Sequence, residues 1–236
     1  TQKVLSKREL YPRNMARTQK WRRRILDRTR KSGRIVMNSQ VTNQIKQELQ
    51  VAIDLKSAIR ADDALLAQIV MLSERCVMAI RDGAKVIFAG NGGSFADAQH
   101  LSAEFTSKFR LERGPMSSLA LGTNSSAISA IGNDYGFQYV FSRELEAIGN
   151  KNDIFIPITT SGNSNNILNA IEVAKNINIA TVCLTGSSGG SAKAMCECIC
   201  VPSSQTDRIQ ECHILIGHII CGRVESAIFG TPSRIA

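Results

Sequence analysis

The stretch from Lys85 to Glu104, KVIFAGNGGSFADAQHLSAE, decides how the rest of the chain is read. Its four apolar residues Val86, Ile87, Phe88 and Ala89 make a run too short for a helix and suited to a buried parallel strand. The run breaks into Gly90-Asn91-Gly92-Gly93-Ser94, after which Asp97, Ala98, Leu101 and Ala103 take up helical spacing. Strand, glycine turn and helix in that order aim several backbone N–H groups at one point, which attracts an anion, most often a phosphate. The turn is neither G-x-G-x-x-G nor G-x-x-x-x-G-K-[ST], so by itself it leaves an ordinary α/β turn as open as a phosphate cradle. One turn into the helix, His100 and Glu104 stand four residues apart on one face. Such a pair is commonly a solvated surface pair, and gains meaning only from what converges on it.

Working outward, the same grammar repeats. Ser118–Leu121 is a second short strand, followed by a helix through Ala127–Ile131, a turn at Gly132-Asn133-Asp134 and a helix from about Phe137 to Ile148. Asp153–Ile158, Ile179–Leu184 and Cys198–Val201 give the third, fourth and fifth strands. A closing helix runs from about Thr206 to Ile228, with Ile209, Ile216, Ile220 and Val224 on its apolar face. Before the first strand, Val41–Ile59 and Ala61–Arg81 read as two amphipathic helices, a hairpin fit for packing on the sheet or for a partner subunit. Alternating strands and helices imply a parallel sheet with ligands beyond the carboxyl ends of its strands.

The 236 residues carry a net charge of +9, but unevenly. Residues 1–36 hold 13 Lys/Arg against Glu9 and Asp27, whereas residues 37–236 hold 16 Lys/Arg against 18 Asp/Glu. The folded part is close to neutral, which argues against nucleic-acid binding except through the leader. That leader reads as a disordered or loosely helical basic arm, and the composition break at Met37 suggests that it lies outside the start of translation. No run of 18 apolar residues or secretory signal pattern is present. The seven cysteines, odd in number and mostly within apolar runs, suit a reducing, cytoplasmic setting, and Cys196, Cys198 and Cys200 lack zinc-site spacing.

Three further features converge on the glycine turn. Thr159-Thr160-Ser161-Gly162-Asn163-Ser164 places four hydroxyls and a glycine at a helix start, and with Ser94 could hold a phosphate without Lys or Arg. Simple N-capping would need one such hydroxyl. The closing helix carries Gln210, His213 and His218, two of the three histidines of the chain. On a helical wheel His218 lies about 80° from Gln210, so both can face one cleft, while His213 among Ile and Leu suits the core.

Together GNGGS, DAQHLSAE, GNDYGF, TTSGNS and TDRIQECHILIGHII closely resemble the phosphoheptose isomerases of the sugar-isomerase (SIS) fold, over roughly Asn38 to Ile228. The resemblance implies a three-layer α/β domain over 37–236, with N-terminal helices at 38–82 and a core at 85–230 built on a five-stranded parallel sheet. It implies conversion of sedoheptulose 7-phosphate to D-glycero-D-manno-heptose 7-phosphate, supplying heptose for surface polysaccharide. A homotetramer with active sites at subunit boundaries and one zinc ion per subunit are implied as well. Carried over by position, the metal ligands correspond to His100, Glu104, Gln210 and His218. The substrate contacts correspond to Asn91, Gly92, Gly93, Asn133, Asp134, Thr159, Thr160, Ser161, Ser164 and Gln210, to which Ser94 is added from the turn itself. Thr159 stands where the family usually has serine and keeps the hydroxyl. An aldose–ketose isomerase needs a base for a carbon-bound proton and a group to move the hydroxyl proton, parts assigned to Glu104 and His218. The same fold includes a replication-initiator-associating protein without that pair and other sugar-phosphate isomerases, which stand as the alternatives.

Overall fold

The computed structural model describes residues 39–230. The basic leader expected over 1–36 and the break at Met37 lie outside them. The described residues fall into two units, one ending at residue 49 and the other starting at residue 50. Of the first, the described part is the opening of helix α1 (Ser39–Ala61), on which Val41, Ile45 and Leu49 are exposed.

In the second unit the break at Asp62 is set by a cap. Its carboxylate accepts the Leu65 N–H at 3.0 Å and starts α2 (Asp63–Arg81). Then follow β1 (Val86–Gly90), α3 (Gly93–Thr106), β2 (Ser118–Ala120), α4 (Ser125–Asp134), a 3₁₀ turn (Phe137–Tyr139) and α5 (Val140–Ile148). β3 (Ile154–Thr159), α6 (Asn165–Asn176), β4 (Ala180–Thr185), a second 3₁₀ turn (Gly190–Ala194), β5 (Glu197–Cys200) and α7 (Thr206–Phe229) complete the chain.

All pairings are parallel and the strand order is β2-β1-β3-β4-β5. Alternation along β1 sends Val86 and Phe88 into one apolar layer with α2, α3 and α7, and Ile87 and Ala89 into the other with α5 and α6. The five-stranded, three-layer expectation therefore holds. Because α3 leaves β1 on one face and α6 leaves β3 on the other, the strand order reverses between β1 and β3. The loops after these two strands flank that switch point.

One expected turn is misplaced. Residues 132–134 continue α4, whose start Asn124 caps through bonds to Ser126 and Ala127 N–H. Nothing stands within 4 Å of a Cβ built on Gly132, so that glycine marks no close approach. The stop is Gly136, at φ 102°. The third and fourth strands lie one residue later than expected, with Thr159 paired to Thr185 in the ladder, and the fifth lies one residue earlier, at Glu197–Cys200. α7 is long and apolar enough by length and composition to cross a bilayer. It is nevertheless a core helix, with Ile209, Cys212, Ile216, Ile220 and Val224 buried among α2, α3 and the sheet.

Candidate functional site

The first loop owes its shape to glycine. A Cβ on Gly90 would lie 2.3 Å from the Ser94 carbonyl oxygen, and Gly92 has φ 55°. α3 starts at Gly92 with no side-chain cap, and Ser94 is buried in its first turn. At the second loop, Ser164 heads α6 and likewise makes no capping bond. Its hydroxyl lies instead 3.4 Å from that of Thr159, while Ser161 Oγ accepts the Asn163 N–H at 3.1 Å. Ordinary capping therefore does not account for the hydroxyls, and two helix starts offer their N–H groups to an anion.

The two loops are joined by a pair of amides. Asn91 Nδ2 donates to Asn166 Oδ1 at 2.9 Å, and Asn166 Nδ2 donates back to Asn91 Oδ1 at 2.8 Å. Asn166 is buried and fixes the first loop against the second across the switch point. The loop after β4 supports the second from behind: Ala192 N–H donates to Gly162 O at 3.0 Å, and Ser191 donates to Asn163 Oδ1 from both its N–H and its hydroxyl at 2.9 Å. Thr160 and Ser161 thus stand on a braced loop, with Gly162 at φ 67° so close to Gly189 that no side chain fits.

α3 and α7 pack side by side in the same sense. Gln210 lies against Gly93, where a Cβ would meet its Nε2 at 2.7 Å. Two turns further on, a Cβ on Gly217 would meet Leu101 Cδ1 at 2.4 Å, so the helices approach closely there. That contact brings His218 to His100. Their Nε2 atoms are 3.1 Å apart, and His100 Nε2 lies 3.0 Å from Glu104 Oε1. The three ligand atoms all fall within 4.8 Å of one another. Phe109 stacks on the His218 ring at 5.5 Å and 21°. Partial burial, reinforced by the charges of His100 and Arg110 and opposed by Glu104, lowers the pKa of His218 below its ordinary value.

Residues 118 positions apart thus meet within one protomer. Two imidazole nitrogens and a carboxylate oxygen are a borderline-soft donor set suited to zinc. The two spacings from His100 Nε2, 3.0 and 3.1 Å, are close to the edge of a zinc tetrahedron, about 3.3 Å for bonds near 2.0 Å. The group therefore fits that ion, and Gln210 extends the same seam toward the first loop. Asn133 and Asp134 lie elsewhere, exposed at the end of α4, where Asn133 Nδ2 donates to Asp134 Oδ1 at 2.7 Å. His213 is a core residue: fully buried, its Nε2 3.2 Å from the Thr185 carbonyl oxygen, with burial pushing its pKa down to about 4.

Two residues at the site have no counterpart in the expectations. Asn166 could have been suspected only as a second amide beside a hydroxyl loop. Asp97 lies on α3 one turn before His100, with one buried carboxylate oxygen unpartnered and its pKa pushed by burial to about 6.

Comparison with known proteins converges on one family. The SIS domain profile matches residues 49–186. A phosphoheptose isomerase of Aneurinibacillus thermoaerophilus is 50% identical over 190 residues, covering 80% of this chain and 96% of that protein. One from Sulfurimonas denitrificans is 49% identical over 187 residues, covering 79% of this chain and 96% of that protein. Among solved structures, the phosphoheptose isomerase of Francisella tularensis superposes with a TM-score of 0.74 at 36% identity, over 80% of this chain and all of that one. With sequence and fold agreeing over nearly the whole length of these relatives, the chain belongs to the phosphoheptose isomerases of the SIS fold.

Proposed function

We propose that this chain is an intramolecular aldose–ketose isomerase that converts sedoheptulose 7-phosphate to D-glycero-D-manno-heptose 7-phosphate, for heptose supply to surface polysaccharide. The observation that carries this reading is the meeting of His100, Glu104 and His218 on the α3–α7 seam, at the end of the helix that begins in the first anion loop. The loops around Asn91–Ser94 and Thr159–Ser164 hold the phosphate with N–H groups and hydroxyls. Gln210, beside Gly93, stands between loop and trio and orients the sugar. Asn133 and Asp134, exposed at the end of α4 away from the trio, are carried as substrate contacts on the family resemblance alone.

Glu104 then takes the proton from C-1 of the ketose, giving an enediol, and returns it to C-2. His218 accepts the proton of the O-1 hydroxyl and passes it to O-2, so the sugar gains and loses none in sum. His100, Glu104, Gln210 and His218 would hold a zinc ion, which when bound polarises the sugar carbonyl and stabilises developing negative charge. A carboxylate that also holds a cation is a weaker base, so the proton-abstracting role of Glu104 is favoured by its second oxygen.

We place the chain in the cytoplasm, as a homotetramer with active sites at subunit boundaries. Supporting the assembly, Val51 and Ile53 on α1 and Leu66, Val70, Met71 and Met78 on α2 are large apolar side chains left exposed. Supporting the compartment, all seven cysteines are free thiols. The non-catalytic alternative is disfavoured by the gathered acid–base pair. Product NMR on a panel of sedoheptulose 7-phosphate, fructose 6-phosphate and glucosamine 6-phosphate tests the assignment: turnover of the heptulose phosphate is expected, and preference for a hexose phosphate would replace it with another SIS activity.

A further inference from the structure

Glu225, near the end of α7, and Arg113, between α3 and β2, form an ion pair at 3.0 Å with both side chains 1% exposed. Burying two charges adds little net stability even when they are paired, so what this pair holds matters more than the pair itself. Glu225 accepts three backbone N–H groups, from Phe109 at 3.1 Å, Arg110 at 2.9 Å and Leu111 at 3.2 Å. Arg113 spends its remaining donors on the carbonyls of Glu104 at 2.7 Å, Phe105 at 2.7 Å and Gly114 at 2.9 Å. The first two belong to the last turn of α3, where carbonyls have no partner within the helix. Arg113 is thus a side-chain cap on the helix carrying His100 and Glu104.

The segment between them, residues 107–114, is a strap across the seam. It lays Phe109 on the His218 ring and Arg110 over Phe109 at 4.8 Å from the ring centre. Gly222 on α7 leaves room for it, since a Cβ there would come within 3.1 Å of the Arg110 guanidinium. Glu225 lies seven residues beyond His218, two turns along and on the same face of α7. One ion pair therefore grips the backbone of Glu104, the ring against His218 and the helix that carries His218.

We propose that Glu225 and Arg113 are positioning residues of the isomerase site, holding Glu104 and His218 at the separation that metal binding and proton transfer require. The metal part rests on the zinc reading above. The test is Glu225→Gln in the full chain, a change that keeps the volume but removes the charge. Zinc affinity is read by competition with a chromophoric chelator, and kcat and KM are read on sedoheptulose 7-phosphate. Zinc affinity and kcat are each expected to fall about 10-fold or more, with KM within about 3-fold of wild type. A pair that merely stabilised the fold would lower the melting temperature and leave zinc affinity and kcat unchanged in the folded protein, and that result would overturn the proposal. If Glu225→Gln does not fold, Phe109→Leu carries the test: weaker zinc binding and lower kcat support it, and unchanged values overturn it. A wild-type chain that binds no zinc would instead remove the zinc reading, leaving the kcat–KM split to decide.

Discussion

The loops at the switch point and the seam between α3 and α7 share one helix, yet they are built from opposite chemistry. The loops hold no Lys or Arg: Gly90, Gly92, Ser94, Thr159, Ser161 and Ser164 are joined by the Asn91–Asn166 amide pair and offer dipoles and hydroxyls. The seam brings together three titratable groups and rests on a buried ion pair. A phosphate keeps its charge throughout an isomerisation, so fixed dipoles can hold it equally well in substrate and transition state. Charge moves only at the far end of the sugar, and under the proposed assignment that is where the titratable groups of the seam would act. Asp62 and Asn124 cap α2 and α4; α3 and α6 begin at the loops without a side-chain cap, as α5 and α7 also do.

That contrast predicts a kinetic division, largest at the seam. Glu104→Gln and His218→Ala should each lower kcat about 10²- to 10⁴-fold with KM little changed. A rise in KM with kcat retained would mean that the seam binds rather than reacts, and the comparison would fail.

His213 sharpens the contrast, because it lies on the same helix and should matter only to folding. Burial holds its native pKa at about 4, below the ordinary 6.5. Above pH 6.5 both native and unfolded chains carry it neutral. As the pH falls below that, the unfolded chain takes up a proton that the native one refuses, and stability is lost down to about pH 4. Between pH 7 and pH 5 this costs about 2 kcal/mol. Asp97 works in the opposite direction: its raised pKa gives stability below pH 3.8 that is lost as the pH rises through about 6. Urea denaturation of wild type and His213→Leu at both pH values cancels the Asp97 contribution. The variant should lose about 2 kcal/mol less than wild type on acidification, with the same kcat at pH 7. Equal acid sensitivity of the two proteins would contradict the burial argument.

The smallest effect belongs to the loops. Asn166→Ala breaks the amide pair without touching the seam, and should raise KM about 5- to 10-fold with kcat within a factor of about two. A larger fall in kcat than rise in KM would show that loop and seam act as one unit.

The sequence made the local features legible and left the distant ones hidden. Each strand with its following loop could be read from a few consecutive residues, because buried parallel strands are short apolar runs and the loops are punctuated by glycine and hydroxyl residues. The turn expected at residues 132–134 failed because glycine and asparagine weaken a helix without ending it, and α4, capped by Asn124, runs on to Asp134 before Gly136 turns the chain. His100 and Glu104 were visible as neighbours on a helix. Their meeting with His218 depends on close packing at Gly217, which no short-range pattern records. Asn166 and the Arg113–Glu225 pair were illegible for the same reason. Glu225, between Val224 and Ser226 near a helix end, reads as a surface residue until its partner 112 positions away is known.

Proton transfer at the seam is tested most directly by solvent exchange. Sedoheptulose 7-phosphate is incubated in deuterium oxide with wild type or Glu104→Gln, at concentrations where both bind it, and deuterium is followed at C-1 of the ketose and C-2 of the aldose. Wild type should introduce deuterium at both carbons, and Glu104→Gln should introduce none above the uncatalysed background. Exchange by the Glu104→Gln variant at the wild-type rate would contradict the account.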